Sequence, residues 1–280
     1  MSANPDQLPI AGHDRNTHAF GVLKTPDVEI VSVRLDAPDE VSATLWHFLS
    51  PDERQRAEKF RFAKHRRRYV MARANLRRLL AERLRIAPRE VELVANGYGK
   101  PRLAPVHGSV DLDFNLSHSE ALAVYAFTSG RAVGVDVELI RQVPDADDLA
   151  GSFFSPGETK ALRAFPPDRR SLAFLACWTR KEAFIKAVGV GLSCPLDAFD
   201  VAIDPDAPAR ITRIDARIGR IANWGLQAFN PHPCYIAAVA YDVSVRPCRA
   251  TSETPFNHCV SRIPDTSIQD CARNDRISLR

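Results

Sequence analysis

A chain of 280 residues, 45% hydrophobic and 26% charged, is ordinary for a globular protein and can bury the core of one large domain or two small ones. A formal charge of +4 and a pI near 8.8 are too mild for a dedicated nucleic-acid binder. They suit a protein that meets anions, such as a phosphorylated cofactor or an acidic partner, although a generic basic surface gives the same figures. No apolar run approaches the ~18 residues of a membrane span, and no apolar segment follows a basic start. None of the six cysteines forms a C-x-x-C pair, so zinc spacing is absent. The expectation is a cytoplasmic protein with reduced thiols that binds neither membrane nor nucleic acid.

Residues 1–26 are rich in Pro, Asn, His and Gly without a period and read as a loose tail. Val31, Val33 and Leu35 alternate with Ser32 and Arg34, a strand pattern, and Val41, Leu45, Phe48 and Leu49 have helical spacing. Ser50-Pro51-Asp52-Glu53 is a capping box with proline at the first helical position. A long helix is predicted over 65–85, with Tyr69, Ala72, Leu76, Leu79 and Leu80 inward and Arg66, Arg67, Arg68 and Arg73 on the same segment. Asn96-Gly97-Tyr98-Gly99 is a turn, and strands follow at 111–116, 121–127 and 132–138. The order then begins again. Ser155-Pro156-Gly157-Glu158 repeats the capping box, a helix runs over 169–188 and stops at Gly189, and strands follow near 198–203, 210–214, 224–229 and 235–241.

From about residue 246 the chain turns polar and irregular. The expected organisation is α+β, with an N-terminal subdomain at 27–139, a C-terminal subdomain at 140–245, and disordered tails at 1–26 and 246–280.

Five segments carry candidate chemistry. In Gly134-Val135-Asp136-Val137-Glu138 the valines share one strand face and Asp136 and Glu138 the other. Paired carboxylates repel, so a proton or a cation must offset them. Hard oxygen ligands suit Mg²⁺, which binds a few carboxylates together with substrate phosphates. Two solvated carboxylates on an open sheet face fit the same residues. Trp178, Glu182 and Lys186 lie on one helix stripe, where Glu182 offers a third carboxylate and Lys186 a cation for phosphate, or the two form an ordinary i,i+4 pair. His118, between Ser117 and Ser119, can donate to a phosphate oxygen or sit half-buried in a turn. Lys100 is held in the turn Gly99-Lys100-Pro101. Arg54, Arg56, Arg66, Arg67, Arg68 and Arg73 make a basic face able to pair with phosphate or simply to face solvent.

Taken together, LSPDERQRAEKFRF from Leu49, GKPRL from Gly99, FNLSHSE from Phe114, VGVDVE from Val133, FFSPGE from Phe153 and WTRKEAFIKAVGVGL from Trp178 occur in the order seen in surfactin-type (broad-specificity) 4′-phosphopantetheinyl transferases, and the chain resembles that family over about residues 30–243. The resemblance implies two pseudo-symmetric α+β halves, each of helices on a small antiparallel sheet, with coenzyme A in the cleft between them. It implies that Asp136, Glu138 and Glu182 hold Mg²⁺, and that His118, Lys186 and Arg68 bind coenzyme A phosphates. Ser117 belongs to the same cofactor-binding set, Lys100 and Arg102 lie on the adenosine side, and Glu182, Lys186 and His118 form the catalytic set. It further implies transient binding of an acyl or peptidyl carrier protein by a monomeric enzyme. One departure stands out: where relatives carry a basic residue near the 3′-phosphate, this chain has Glu53, so Arg54 or Arg56 would substitute. Two other readings use the same residues: a metal-dependent phosphohydrolase of small phosphoesters, and a non-catalytic basic binding module.

Overall fold

The computed structural model describes residues 19–24, 27–108, 110–191 and 194–244. The expected C-terminal tail and the first 18 residues lie outside the described residues. Two strands open the chain, β1 (Ala19–Lys24) and β2 (Glu29–Arg34), followed by α1 (Asp39–Leu45), α2 (Pro51–Glu58) and the 22-residue α3 (Ala63–Leu84). A short hairpin of β3 (Leu93–Ala95) and β4 (Pro101–Leu103) leads to β5 (Asp113–Ser119) and β6 (Leu122–Thr128). The second series comprises β7 (Val133–Leu139), α4 (Ala146–Phe153), α5 (Pro156–Arg163), the 22-residue α6 (Pro167–Val188), the pair β8 (Phe199–Val201) and β9 (Ile211–Ile214), then β10 (Trp224–His232) and β11 (Tyr235–Asp242). Among the described residues no helix is long and apolar enough to cross a membrane.

The fold is α+β. One antiparallel sheet has the order β1-β2-β6-β5 and another the order β10-β11-β7. Side-chain alternation sorts each strand between two cores. Val31, Val33, Ala123 and Tyr125 face Met71, Leu76 and Leu80 of α3, while Ile236, Ala238 and Ala240 face Ala183, Phe184 and Ala187 of α6. The remaining faces meet each other: Ile30, Val124 and Ala126 of the first sheet pack against Val135, Val137, Ala237 and Val239 of the second. The molecule is therefore layered helix, sheet, sheet, helix, with its central core shared by both halves. β6 contributes to two cores, which is why all seven of its residues are buried.

Two expected boundaries differ. Residues 19–24, expected in a loose tail, form β1, because β2 offers an open edge with which they pair antiparallel. The division expected after residue 139 would leave β7 in the first half, yet β7 pairs with β11 from Val133↔Tyr241 to Leu139↔Tyr235. Sheet membership puts the change of halves between β6 and β7. The alternation of β7 was readable, but its partner lies about a hundred residues downstream.

Candidate functional site

The site forms where β7 runs between β5 and α6. Its position rests on Gly134. A Cβ built there would stand 2.2 Å from the Ala183 carbonyl oxygen and 2.2 Å from the Ala187 nitrogen. Only a glycine lets the α6 backbone come this close to the strand. Two residues along the same face, Asp136 meets Lys186, whose Nζ lies 2.5 Å from Asp136 Oδ1. Ser117 of β5 completes the triangle, donating to Asp136 Oδ1 at 2.8 Å and accepting from Lys186 Nζ at 3.1 Å.

The charges here are unbalanced toward acid. Asp136 Oδ2 is buried without a partner. Burial, reinforced by the charge of Asp136, pushes Glu138 up to about 7, although Ser119 Oγ donates to Glu138 Oε2 at 3.1 Å. Burial raises Glu182 as well, with Lys186 opposing and Asp136 adding. His118 presents its ring at the surface, but desolvation by the surrounding protein and the cations Lys186 and Arg68 push its pKa down, leaving the imidazole neutral near pH 7. Beside this cluster opens a cleft of about 260 Å³, lined by Tyr98, Lys100, Asn115, Glu182, Ile185 and Lys186. A larger groove of about 550 Å³ lies elsewhere, between α1 and α3, where Asp39 is already paired with Arg67 at 3.0 Å.

Residues 132–240 match the family model described as "4′-phosphopantetheinyl transferase superfamily", and residues 37–129 match "4′-phosphopantetheinyl transferase, N-terminal". The 4′-phosphopantetheinyl transferase HetI of Nostoc sp. is 35% identical over 218 residues, covering 78% of this chain and 89% of that protein. Sfp of Bacillus subtilis is 28% identical over 217 residues, 77% and 88% of the two chains. The mouse L-aminoadipate-semialdehyde dehydrogenase-phosphopantetheinyl transferase is 30% identical over 165 residues, 56% of this chain and 53% of that protein. The chain belongs to the 4′-phosphopantetheinyl transferase superfamily.

In this phosphopantetheinyl transferase the expected site residues fall into two groups. Asp136, Glu138, Glu182, Lys186, Ser117 and His118 are brought together, as their hydrogen bonds and mutual electrostatic influence record. Lys100 joins from the side. Its Nζ donates to the Val133 carbonyl at 2.8 Å and reaches Asp113 at 3.5 Å, and burial lowers its pKa. Arg102 is exposed on β4, near enough for its charge to oppose that of Lys100. Arg68 is drawn to other partners. Its guanidinium is bidentate to Asp36 at 2.7 and 2.9 Å and donates to Glu120 at 2.7 Å.

The departure at Glu53 has a structural reason. Its carboxylate is buried between Arg73 at 2.6 Å and Arg77 at 2.5 Å, and these cations outweigh burial to hold its pKa down. Arg54 donates to the His47 carbonyl at 3.2 Å, and Arg56 is exposed. Among the described residues no group of three His, Cys, Asp or Glu is gathered into a ready metal cage.

Sequence reasoning missed Asn96. Its Nδ2 donates to the Gly189 carbonyl at 2.9 Å, while its Oδ1 accepts from the amides of Tyr98 and Lys100 at 2.9 Å each. The turn that looked like a plain connection clips the β3–β4 hairpin onto the end of α6. Its Asn-Gly composition gave the turn, but nothing local gave the contact 93 residues away.

Proposed function

We propose that the protein transfers the 4′-phosphopantetheine moiety of coenzyme A to a serine of an acyl or peptidyl carrier protein, with Mg²⁺, releasing adenosine 3′,5′-bisphosphate. One observation carries the reading: Lys186 and Ser117 converge on Asp136, whose second oxygen is buried without a partner, at the mouth of a cleft between the two halves. The donor set fits a hard cation. An orphaned carboxylate oxygen beside a carboxyl raised to about 7 is relieved by a positive charge. Mg²⁺ keeps waters and takes part of its shell from substrate phosphate, so a few carboxylates suffice to hold it. Asp136 and Glu138 would hold it, with Glu182 as the third carboxylate. Bound there, Mg²⁺ supplies charge neutralisation for the pyrophosphate.

The chain's own groups do the rest. The Lys186 ammonium has three donors, two of them engaged by Asp136 and Ser117, and the third turns to a phosphate oxygen in the cleft. His118, neutral at pH 7, donates its ring N–H to another. Arg68 has five N–H donors and uses three on Asp36 and Glu120, which leaves two for coenzyme A phosphate. Lys100 and Arg102 flank the adenosine side. The carrier serine Oγ attacks the β-phosphorus, the bond to the leaving bisphosphate breaks, and the serine proton passes to Glu182 directly or through one water. The raised pKa of Glu182 suits it to accept that proton. Such a reaction needs positioning and charge neutralisation more than covalent help. Both walls of the cleft come from one chain, which supports a monomer, and the anionic substrates suit a basic protein working in the cytoplasm.

Incubation with an apo carrier protein, coenzyme A and Mg²⁺ tests the reading by mass spectrometry of the carrier. A phosphopantetheine mass gain is expected. Hydrolysis of small phosphoesters at comparable rate without a carrier, and no gain, would replace it with the phosphohydrolase reading.

A further inference from the structure

β5 and β7 run side by side in the same direction but belong to different sheets. What joins them is a set of side chains. Asp113 Oδ2 accepts from the Val133 amide at 3.3 Å, Asn115 Oδ1 from the Val135 amide at 2.9 Å, and Ser119 Oγ from the Leu139 amide at 3.1 Å. The rungs fall on alternate residues of both strands, as two strands with period-two side chains require. The rung from residue 117 to 137 is missing from this series. Ser117 Oγ is spent instead on Asp136 and Lys186. The break lies between the Asn115 and Ser119 rungs, on the residues that gather the site.

We propose that Asn115 and Ser119 are positioning residues: their side-chain rungs fix β7 against β5 so that Asp136 and Glu138 meet α6 in register, leaving Ser117 for the site. The inference rests on the transfer reading for its kinetic consequence, though the rungs themselves do not. A rung made by a side chain interposes atoms between the two backbones, so the strands stand farther apart than the ~4.8 Å of a backbone ladder. That spacing leaves room on the seam for a ligand while keeping the β7 amides satisfied. Asn115 is 4% exposed and stands at the wall of the cleft, where its Oδ1 holds β7. Ser119 acts twice, accepting from the Leu139 amide and donating to Glu138 Oε2. Its loss frees both the strand end and the carboxylate.

Three substitutions test this. Asn115→Ala and Ser119→Ala remove the rungs, while Ser119→Thr keeps a neutral oxygen acceptor. In the transfer assay both alanine variants are expected to lose about 10-fold or more in kcat, with KM for coenzyme A within about 2-fold in Ser119→Ala, because small misplacement of reacting groups is costly. Ser119→Thr should recover most of the loss seen in Ser119→Ala. Amide exchange read by NMR should speed up about 10-fold or more at Val135 in Asn115→Ala and at Leu139 in Ser119→Ala, with the β11-facing amides of β7 still protected. Alanine variants with kcat within about 2-fold of the parent overturn the proposal. So does a kcat loss at Ser119→Ala that Ser119→Thr leaves unrepaired, or a parent protein whose Val135 and Leu139 amides exchange as fast as exposed ones. Should Asn115→Ala fail to fold, the Ser119 pair carries the test alone. Absence of any transfer by the parent would sink the transfer reading, while the exchange data would still report on the rungs.

Discussion

α3 and α6 are the same device built twice. Each is 22 residues long and comes after a Ser-Pro-x-Glu capping box whose glutamate is buried and paired with a cation on the long helix. In the first half Glu53 meets Arg77 at 2.5 Å; in the second Glu158 meets Lys181 at 2.8 Å. Beyond that anchor the helices differ. One residue on and five residues on, α3 carries Arg78 and Glu82, which pair on an exposed surface at 2.9 Å. The same offsets on α6 give Glu182 and Lys186, which turn to β7. α3 lays Leu76 and Leu80 on its sheet as apolar cover, while α6 comes down on Gly134 and Asp136. The repeated parts hold the fold, and the candidate site lies where the repeat is broken.

The sharpest way to break this comparison is on α6 itself, where two lysines five residues apart have opposite duties. Lys181 is fully buried, bonding Glu158 and the carbonyls of Leu196 and Phe199 at 2.6 Å each. Lys181→Met should cost about 3–5 kcal/mol of stability in denaturant titration, because it strands the Glu158 carboxylate. Whatever folds should keep its kcat. Lys186→Ala also takes the cation from a buried carboxylate, but Lys186 is itself partly exposed and Ser117 still donates to Asp136, so its stability loss should be the smaller of the two while its rate loss is on the order of 10²–10³. Equal stability losses for both would dissolve the distinction between anchor and site.

Gly134→Ala probes the contact that sets α6 on β7. The added methyl meets backbone rather than a movable side chain, so the helix itself must shift. Overpacking of this kind should cost about 1–3 kcal/mol, and the shift should separate Lys186 from Asp136 and depress kcat along with stability. A variant with unchanged thermal midpoint and full activity would show that the close approach is not required.

A third test uses pH. Glu138 is raised to about 7, so the folded protein binds a proton that the unfolded chain has already lost above its ordinary carboxyl range. Stability of the metal-free protein should therefore fall as pH rises from about 4.5 to 7, by up to about 2–3 kcal/mol from this group. Glu138→Gln should flatten that slope. Added Mg²⁺ should flatten it too, by favouring the carboxylate.

The two long helices, both capping boxes and the main strands were legible because each is written in local spacing: apolar residues at helical or alternating period, and Ser-Pro-x-Glu at a helix start. The site was legible in part, since Asp136 and Glu138 share a strand face, and Glu182 and Lys186 share a helix stripe. What local spacing does not carry is the partner. Arg68 read as one of a run of arginines open to phosphate or solvent, but Asp36 and Glu120, 32 and 52 residues away, engage three of its five N–H donors. Lys181 stands beside Glu182 in the sequence with nothing to mark it as buried, because the carbonyls that bond it, those of Leu196 and of Phe199 at the start of β8, lie 15 and 18 residues on. β5 showed its Asn-Leu-Ser-His-Ser string, but its oxygens serve β7 amides 20 residues later.

The smallest expected effect closes the comparison. Glu82 occupies on α3 the place of Lys186 on α6, with 46% of its side chain exposed and Arg78 as its pair. An exposed i,i+4 pair on a helix contributes a few tenths of a kcal/mol, and the Arg78–Glu82 pair lies on α3, away from the cleft. Glu82→Gln should change stability by less than about 0.5 kcal/mol and leave kcat and KM for coenzyme A within about 2-fold. A large kinetic effect would mean that the first half also reaches the reaction through its helix, and that the two halves are less divided in labour than their contacts indicate. An unchanged rate, set beside a loss on the order of 10² or more at Lys186, would show that the offset alone confers nothing. What gives Lys186 its duty is the glycine that lets the helix approach, and the aspartate waiting two residues along the strand.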